Sequence, residues 1–271
     1  MKPAETVVTS APPSRLRFPW DRALADSLVV LLLLGWYLAS LRTPEYILAN
    51  PVDVLRRTGE LFFDPSLFVH TYISLARVVG AVVLAQVIGM LLVTLSYYVP
   101  VTRTFVNGRI TPLLNAFPTL GWAIAAIFWF GVSTTTVIFV EVAILLPFCI
   151  INLDAGFRSL NDETLEMARS FTRSPWRVLR LVVLPLLHPY LLSSVRVSYG
   201  VAWKVALIAE LFGATTGLGY LLNFARTQFD STTIFATILA IILLVFVIDR
   251  LLLDRVERRT LRYKSQTAPV T

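Results

Sequence analysis

The sequence predicts an all-α, polytopic membrane protein of about six transmembrane helices, with a helix-turn-helix between the fourth and the fifth. Two observations carry this reading. Hydrophobic residues make up 56% of the 271 and charged residues 15%, and the mean hydropathy is +0.71, far from the balance of a soluble domain. Six apolar runs also approach the roughly 20 residues needed to cross a hydrocarbon core of about 30 Å: about 24 to 41, 70 to 98, 112 to 131, 134 to 151, 189 to 212 and 232 to 252.

Taken in order, residues 1–22 (MKPAETVVTSAPPSRLRFPWDR) are Pro-rich, polar and basic and are expected to form a disordered basic cytoplasmic tail. The apolar run from Leu24 is longer than a secretory leader's core, and no small-x-small cleavage site precedes Arg42 to Glu45, so it is expected to be a retained span. The membrane domain then occupies 23–262, and 263–271 form a C-terminal cytoplasmic tail. Trp20, Trp36 and Tyr37 are expected at interfaces. In the loop 43 to 68, Pro44, Pro51 and Pro65 predict short turns or interfacial helices rather than a separate domain.

Charge placement sets the orientation. With both termini cytoplasmic, seventeen of the 24 Lys and Arg fall on inside segments and four (Arg42, Arg56, Arg57 and Arg226) outside, while Arg77, Arg196 and Lys204 lie within spans. That bias follows the positive-inside rule and puts 152–188 in the cytoplasm. The net charge of +7 therefore reflects topology and contact with membrane lipid, and no nucleic-acid partner is expected.

Several chemistries are excluded. The three lysines, Lys2, Lys204 and Lys264, none preceded by glycine, rule out a phosphate-cradling loop of the GxxxxGK[ST] type. Cys149, His70 and His188 lie on three different segments, without metal-ligand spacing. No catalytic residue and no metal site is expected, and Cys149 reads as a packing residue.

The polar island from Asn152 to His188, 37 residues long, contains EMARSFTRSPWRVLRLVVLP. Asn161 is placed to cap a helix with Asp162 and Glu163 in its first turn, running to about Phe171. Thr172 and Arg173 make the turn. Ser174–Pro175 starts a second helix, which carries Trp176, Leu179, Val182 and Val183 and stops near Pro185. Two short amphipathic helices then form a knob with an apolar base and a charged tip.

On these residues the chain resembles the inner-membrane permeases of binding-protein-dependent ATP-binding-cassette importers. Their cytoplasmic signature is EAA, three residues, Gly, nine residues, then I-x-L-P. It falls here on Glu166, Met167 and Ala168, on Thr172 at the glycine position, and on Val182, Leu184 and Pro185. Thr172 predicts an altered turn, because a β-branched residue fits poorly at the left-handed position glycine often serves. ISLARVVGAVVLAQVIGMLL, IFWFGVSTTTVIF, AELFGATTGLGYLL and FARTQFDSTTIFATILAI look like the nitrate, sulfonate and taurine branch, although the third span reads NAFPTLGWA where that branch shows RPIPPLA.

The resemblance implies a second permease copy as a homodimer, two cytoplasmic ATPase subunits and a periplasmic solute-binding protein. No cofactor is expected on this chain, since ATP and magnesium would be used by the partner subunit. Glu166, Ala168, Arg169, Phe171, Thr172, Trp176 and Pro185 would couple to the ATPase, and Arg169, Arg173 and Arg177 would pair with its acidic groups or with lipid phosphate. Lys204, Glu210, Glu141, Asn115 and Trp122 are candidates for the pathway, because ionisable groups within a membrane are costly. Lys204 is expected to attract an anion, to snorkel outward, or to pair with a carboxylate such as Glu141. GATTGLG after Glu210 predicts a bend or re-entrant turn, with Gly213 and Gly217 a close-packing pair. The expected cargo is a small anion such as a sulfonate, nitrate or organic acid, with a neutral vitamin precursor also admissible. The competing function is an ion-coupled secondary transporter with Glu141 or Glu210 as proton relay, and a membrane-embedded enzyme is a third.

Overall fold

In the computed structural model, residues 19–160 and 162–253 are described. The expected tails and the Asn161 cap lie outside them. Among the described residues there are helices and no strands.

Helix α1 (Pro19–Ser40) stands beside the bundle with Leu28 to Leu34 exposed, and Trp36 Nε1 donates to the Ala49 carbonyl at 3.1 Å. Its apolar part, Asp26–Ser40, is shorter than the other spans. Helix α2 (Pro51–Phe63) begins at an Asn50 cap with Pro51 in its first turn and buries Val54, Thr58 and Leu61, so the expected interfacial piece is one amphipathic helix. Pro65 opens α3 (Pro65–Tyr98). Asp64 caps it, accepting from the backbone N–H and the hydroxyl of Ser66 at 2.8 and 2.6 Å. These bonds hold the Asp64 carboxyl below the ordinary aspartate range, because they favour the ionised acceptor.

Short helices α4 (Pro100–Phe105) and α5 (Thr111–Ala116) flank a π-helical turn at 106–110. Then the chain breaks. Extended Phe117 and Pro118 lead into α6 (Thr119–Phe130), and the axes on either side differ by 91°. The expected third span is therefore a bent pair. Pro118 has no N–H to continue the helix and disfavours helical backbone at Phe117, while the Phe117 ring folds against Gly121, where a Cβ would lie 2.9 Å from it.

Helix α7 (Thr134–Arg158) starts at a Ser133 cap and tolerates Pro147 in its interior. It is the centre of the bundle, packed on one side by α3 and on another by α10 (Leu184–Gly213). Small residues permit the approach: a Cβ on Gly89 would lie 2.9 Å from Cys149, and one on Gly156 the same distance from Tyr190. Cys149 is buried, with its Sγ 3.3 Å from the Ser198 hydroxyl. Helices α11 (Leu218–Thr227) and α12 (Ser231–Ile248) complete the bundle, α12 packing on α2 and α11.

Among the described residues, four helices are by length and composition long and apolar enough to cross a membrane, or five if the bent pair counts as one. One of them, Trp176–Gly213, runs unbroken for 38 residues, which corrects the expected stop near Pro185. The turn before Pro185 is π-helical from Leu179 to Val183. Its wider hydrogen-bond ring accommodates a residue that lacks an N–H and would otherwise collide with the preceding carbonyl.

Candidate functional site

Two groups of residues stand apart from simple packing. The first is the helix-turn-helix formed by α8 (Asp162–Phe171) and α9 (Pro175–Val178). Leu165 and Ala168, three apart and so on one face, are buried with Val178. Glu166, Met167, Arg169, Ser170 and Phe171 face outward. Phe171 and Trp176 are 84% and 66% exposed, unusual for aromatics flanking a rigid turn. The turn is built on polar contacts: Thr172 N–H donates to the Ala168 carbonyl at 3.3 Å, and Ser174 N–H donates to the Thr172 hydroxyl at 3.3 Å. The Ser174 carbonyl accepts from the Arg177 and Val178 amides, opening α9 with Pro175 in its first position, where no donor is lost.

Thr172 is a correction to expectation. Among the described residues only Gly131, Gly217 and Phe229 have positive φ, so the turn asks nothing of Thr172 that a β-branched residue resists. Its hydroxyl instead supplies an acceptor that glycine lacks. Of the expected coupling residues, Glu166, Arg169, Phe171 and Trp176 share this exposed knob, Ala168 sits in its base, and Thr172 makes its turn. Pro185 is exposed but lies nine residues beyond Trp176, about 14 Å along the helix at 1.5 Å per residue.

The second group is buried between α3, α10 and the loop to α11. Arg77 Nη1 donates to Glu210 Oε1 at 2.9 Å, with side-chain exposures of 5% and 1%. The same guanidinium donates to the Thr216 carbonyl at 2.7 Å and to the Thr134 hydroxyl at 2.8 Å. Glu210 also accepts from the Ser74 hydroxyl at 2.7 Å and the Gly219 N–H at 2.9 Å, while the Leu218 N–H donates to Ser74 Oγ at 2.7 Å and the Gly217 N–H to His70 Nδ1 at 3.1 Å. A buried charge is tolerated when paired and hydrogen-bonded, and this pair is, on both Nη atoms and both carboxylate oxygens, with Arg77 Nε alone lacking a partner among the described residues.

The expected re-entrant turn is thus a tight loop clamped onto an ion pair. Gly217 has φ +115°, and a Cβ there would collide with the Glu210 carboxylate, so glycine is required twice over. Gly213 packs against Thr136, where its Cβ would lie 2.9 Å from Cγ2. The two glycines therefore serve different neighbours and do not pack as a pair.

Lys204 does not pair with Glu141. Lys204 is on an exposed face of α10, whereas Glu141 is fully buried and neither of its carboxylate oxygens has a hydrogen-bond partner among the described residues. The charges that reach Glu141 are those of Glu210 and Arg77. Asn115 is exposed just before the bend. Trp122 lies just after it in an aromatic cluster, 4.9 Å from Phe117 and 5.9 Å from Phe139 between ring centroids. Of the pathway candidates, Glu141 and Glu210 are buried within reach of each other's charge, whereas Lys204 and Asn115 are exposed. Arg77 went unremarked in the sequence as a site residue, although an arginine a dozen residues into a long apolar helix is a signal for a buried partner of opposite sign.

Residues 27–262 match the family described as binding-protein-dependent transport system inner membrane component. The chain belongs to that family. It is a multi-pass inner-membrane permease of a binding-protein-dependent ABC importer. It is similar to the taurine transport system permease protein of Escherichia coli, 28% identical over 245 residues that cover 86% of this chain and 88% of the relative. The riboflavin transport system permease protein of Chloroflexus aurantiacus is 31% identical over 258 residues, covering 92% and 93%. A methionine ABC transporter in an inward-facing conformation shares the fold, with a TM-score of 0.59 at 18% identity, covering 73% of this chain and 98% of that one.

Proposed function

We propose that the permease works as a pair of identical copies, with both termini and the 152–188 segment in the cytoplasm. Two ATPase subunits would dock on the helix-turn-helix, and a periplasmic binding protein would deliver a small anionic solute. ATP and magnesium belong to the ATPase subunits in this reading, and hydrolysis is not performed by this chain.

The observation that carries the docking role is mechanical. The knob exposes Phe171 and Trp176, and the helix bearing Trp176 continues without a break to Gly213. A push on Trp176 is therefore delivered to the Glu210 end of the bundle by one rigid rod, whereas a flexible joint would absorb it. Glu166 and Arg169 supply exposed charges of both signs beside the aromatics, a composition suited to a docking face.

Glu166→Lys and Trp176→Ala are expected to leave the protein inserted while separating ATP hydrolysis from uptake. In vesicles reconstituted with the ATPase and binding protein, transport per ATP should fall at least tenfold. Unchanged solute-stimulated hydrolysis and uptake in both variants would remove the basis for the contact, and uptake driven by a proton gradient without ATP would replace the mechanism.

The anionic cargo is supported by the taurine-system relative and by Lys204, which is exposed on α10 and placed there to attract negative charge. The relative named for riboflavin makes the cargo a direct question for experiment. Thermal-shift screening of the cognate binding protein with sulfonates, nitrate, organic acids and vitamin precursors answers it. Lys204→Gln is then expected to reduce uptake of an anionic solute and to spare a neutral one.

A further inference from the structure

Between the helix-turn-helix and the bundle lies a cavity of about 520 Å³, within the range of pockets that hold small molecules. Its floor is apolar and buried: Leu165 on α8, Phe157 at the end of α7 and Leu187 on α10. Its rim is different. Tyr98, Arg169 and Arg173 line the mouth and are exposed, and among the described residues no acidic side chain lines the cavity. Neither guanidinium makes an ion pair or hydrogen bond among the described residues.

Along α3 the lining runs from Met90 to Tyr98, eight residues, hence about 12 Å at 1.5 Å per residue. Helices α3 and α7 end at Tyr98 and Arg158, so the cavity begins where two spans leave the apolar layer and reaches back alongside them. The Tyr97–Tyr98 pair at its mouth is what a membrane interface selects. An apolar trench entering the hydrocarbon depth, with two cations at its interfacial end that are unpaired among the described residues, matches a molecule with a long chain and an anionic head.

We propose that this cavity binds an acidic phospholipid of the surrounding bilayer, one acyl chain along the Met90–Leu187 floor and the phosphate on Arg169 and Arg173. The chain's own tails are poor occupants, because residues 1–18 and 254–271 are both net basic and would be repelled by the rim. A filled trench gives the knob's base the dispersion contacts that a void lacks. The inference rests on the cavity and not on ATPase docking, and lipid binding is read on the permease itself, so the two fail separately.

The test uses the full-length chain purified in mild detergent, exchanged into mixed micelles of equimolar phosphatidylglycerol and phosphatidylcholine and weighed by native mass spectrometry. The wild type is expected to retain phosphatidylglycerol about tenfold over phosphatidylcholine, because the two share the phosphate but choline adds a cation that the paired guanidinium groups repel. Arg169→Gln/Arg173→Gln should abolish that preference and Arg169→Lys/Arg173→Lys should keep most of it. Thr94→Trp, which fills the trench without touching the charges, should displace the bound lipid. Equal retention of the two lipids, or retention unaffected by Thr94→Trp, would overturn the proposal, as would displacement of phosphatidylglycerol by equimolar oleate or by inorganic phosphate. If the glutamine variant fails to give a monodisperse protein, the lysine and tryptophan variants decide the outcome alone.

Discussion

Arg77 and Glu210 make the sharpest case at the scale of single residues. Each is buried and each satisfies the other, so removing one leaves a charge without a partner in a dry setting. Arg77→Met or Glu210→Leu is expected to destabilise the protein by about 3–5 kcal/mol, the usual cost of orphaning a buried charge. Replacing both with apolar residues of similar volume, Arg77→Met/Glu210→Leu, should cost less than either single change. Thermal unfolding of the four proteins in detergent measures the cycle, and additive losses would mean that the pair is not coupled. Gly217→Ala should be worse than an ordinary surface change, by about 1–3 kcal/mol, since it strains the backbone and drives a methyl into the Glu210 carboxylate. Glu210 and the glycines around it were visible in the sequence as a polar interruption. Their partner Arg77 was not, because 133 residues separate the two and nothing local joins them.

Among the elements, the prolines at helix starts were legible, whereas the caps at Asn50, Ser133 and Asp230 were not read from the sequence. Asn50, Ser133 and Asp230 accept from the amides two or three residues on, and Pro51, Pro65 and Pro175 each fall in a first turn, where proline is tolerated. At α3 the Asp64 cap has a pH signature. Its carboxyl titrates lower in the folded chain than in the unfolded one, so its contribution is fully present above the unfolded value and is lost as pH falls through the folded one. Asp64→Ala should accordingly speed hydrogen exchange at the Ser66 to Phe68 amides at neutral pH and have little further effect in strong acid. Equal exchange in the two proteins at neutral pH would show that the cap is not formed. Two element endings misled. Pro185 reads as a stop, yet the π-helical turn carries the helix through it. The apolar run 112 to 131 reads as one span, yet Phe117 and Pro118 turn it by 91°. Composition reports how apolar a run is and says little about its axis.

For the molecule as a whole, hydropathy and charge placement foretold a helical membrane protein, and the spacing from Glu166 to Pro185 foretold its family. What they left open was how the parts connect: the central place of α7, the clamp on Gly217, and the single helix from Trp176 to Gly213 that joins an exposed knob to that clamp. Those are products of tertiary packing among segments far apart in the chain. Glu141 and Lys204 illustrate the limit, since both lie within spans and only packing reveals that one is buried and the other exposed. The central claim, that the knob is the seat of an ATPase, is tested most directly by cross-linking. With Cys149→Ser as background, Phe171→Cys in native membranes should form a cross-link through a short thiol-reactive bridge, and mass spectrometry should identify its partner as a subunit carrying a phosphate-binding loop. A Phe171→Cys thiol that is labelled from the periplasmic side, or that yields no such partner while the transporter is active, would contradict it.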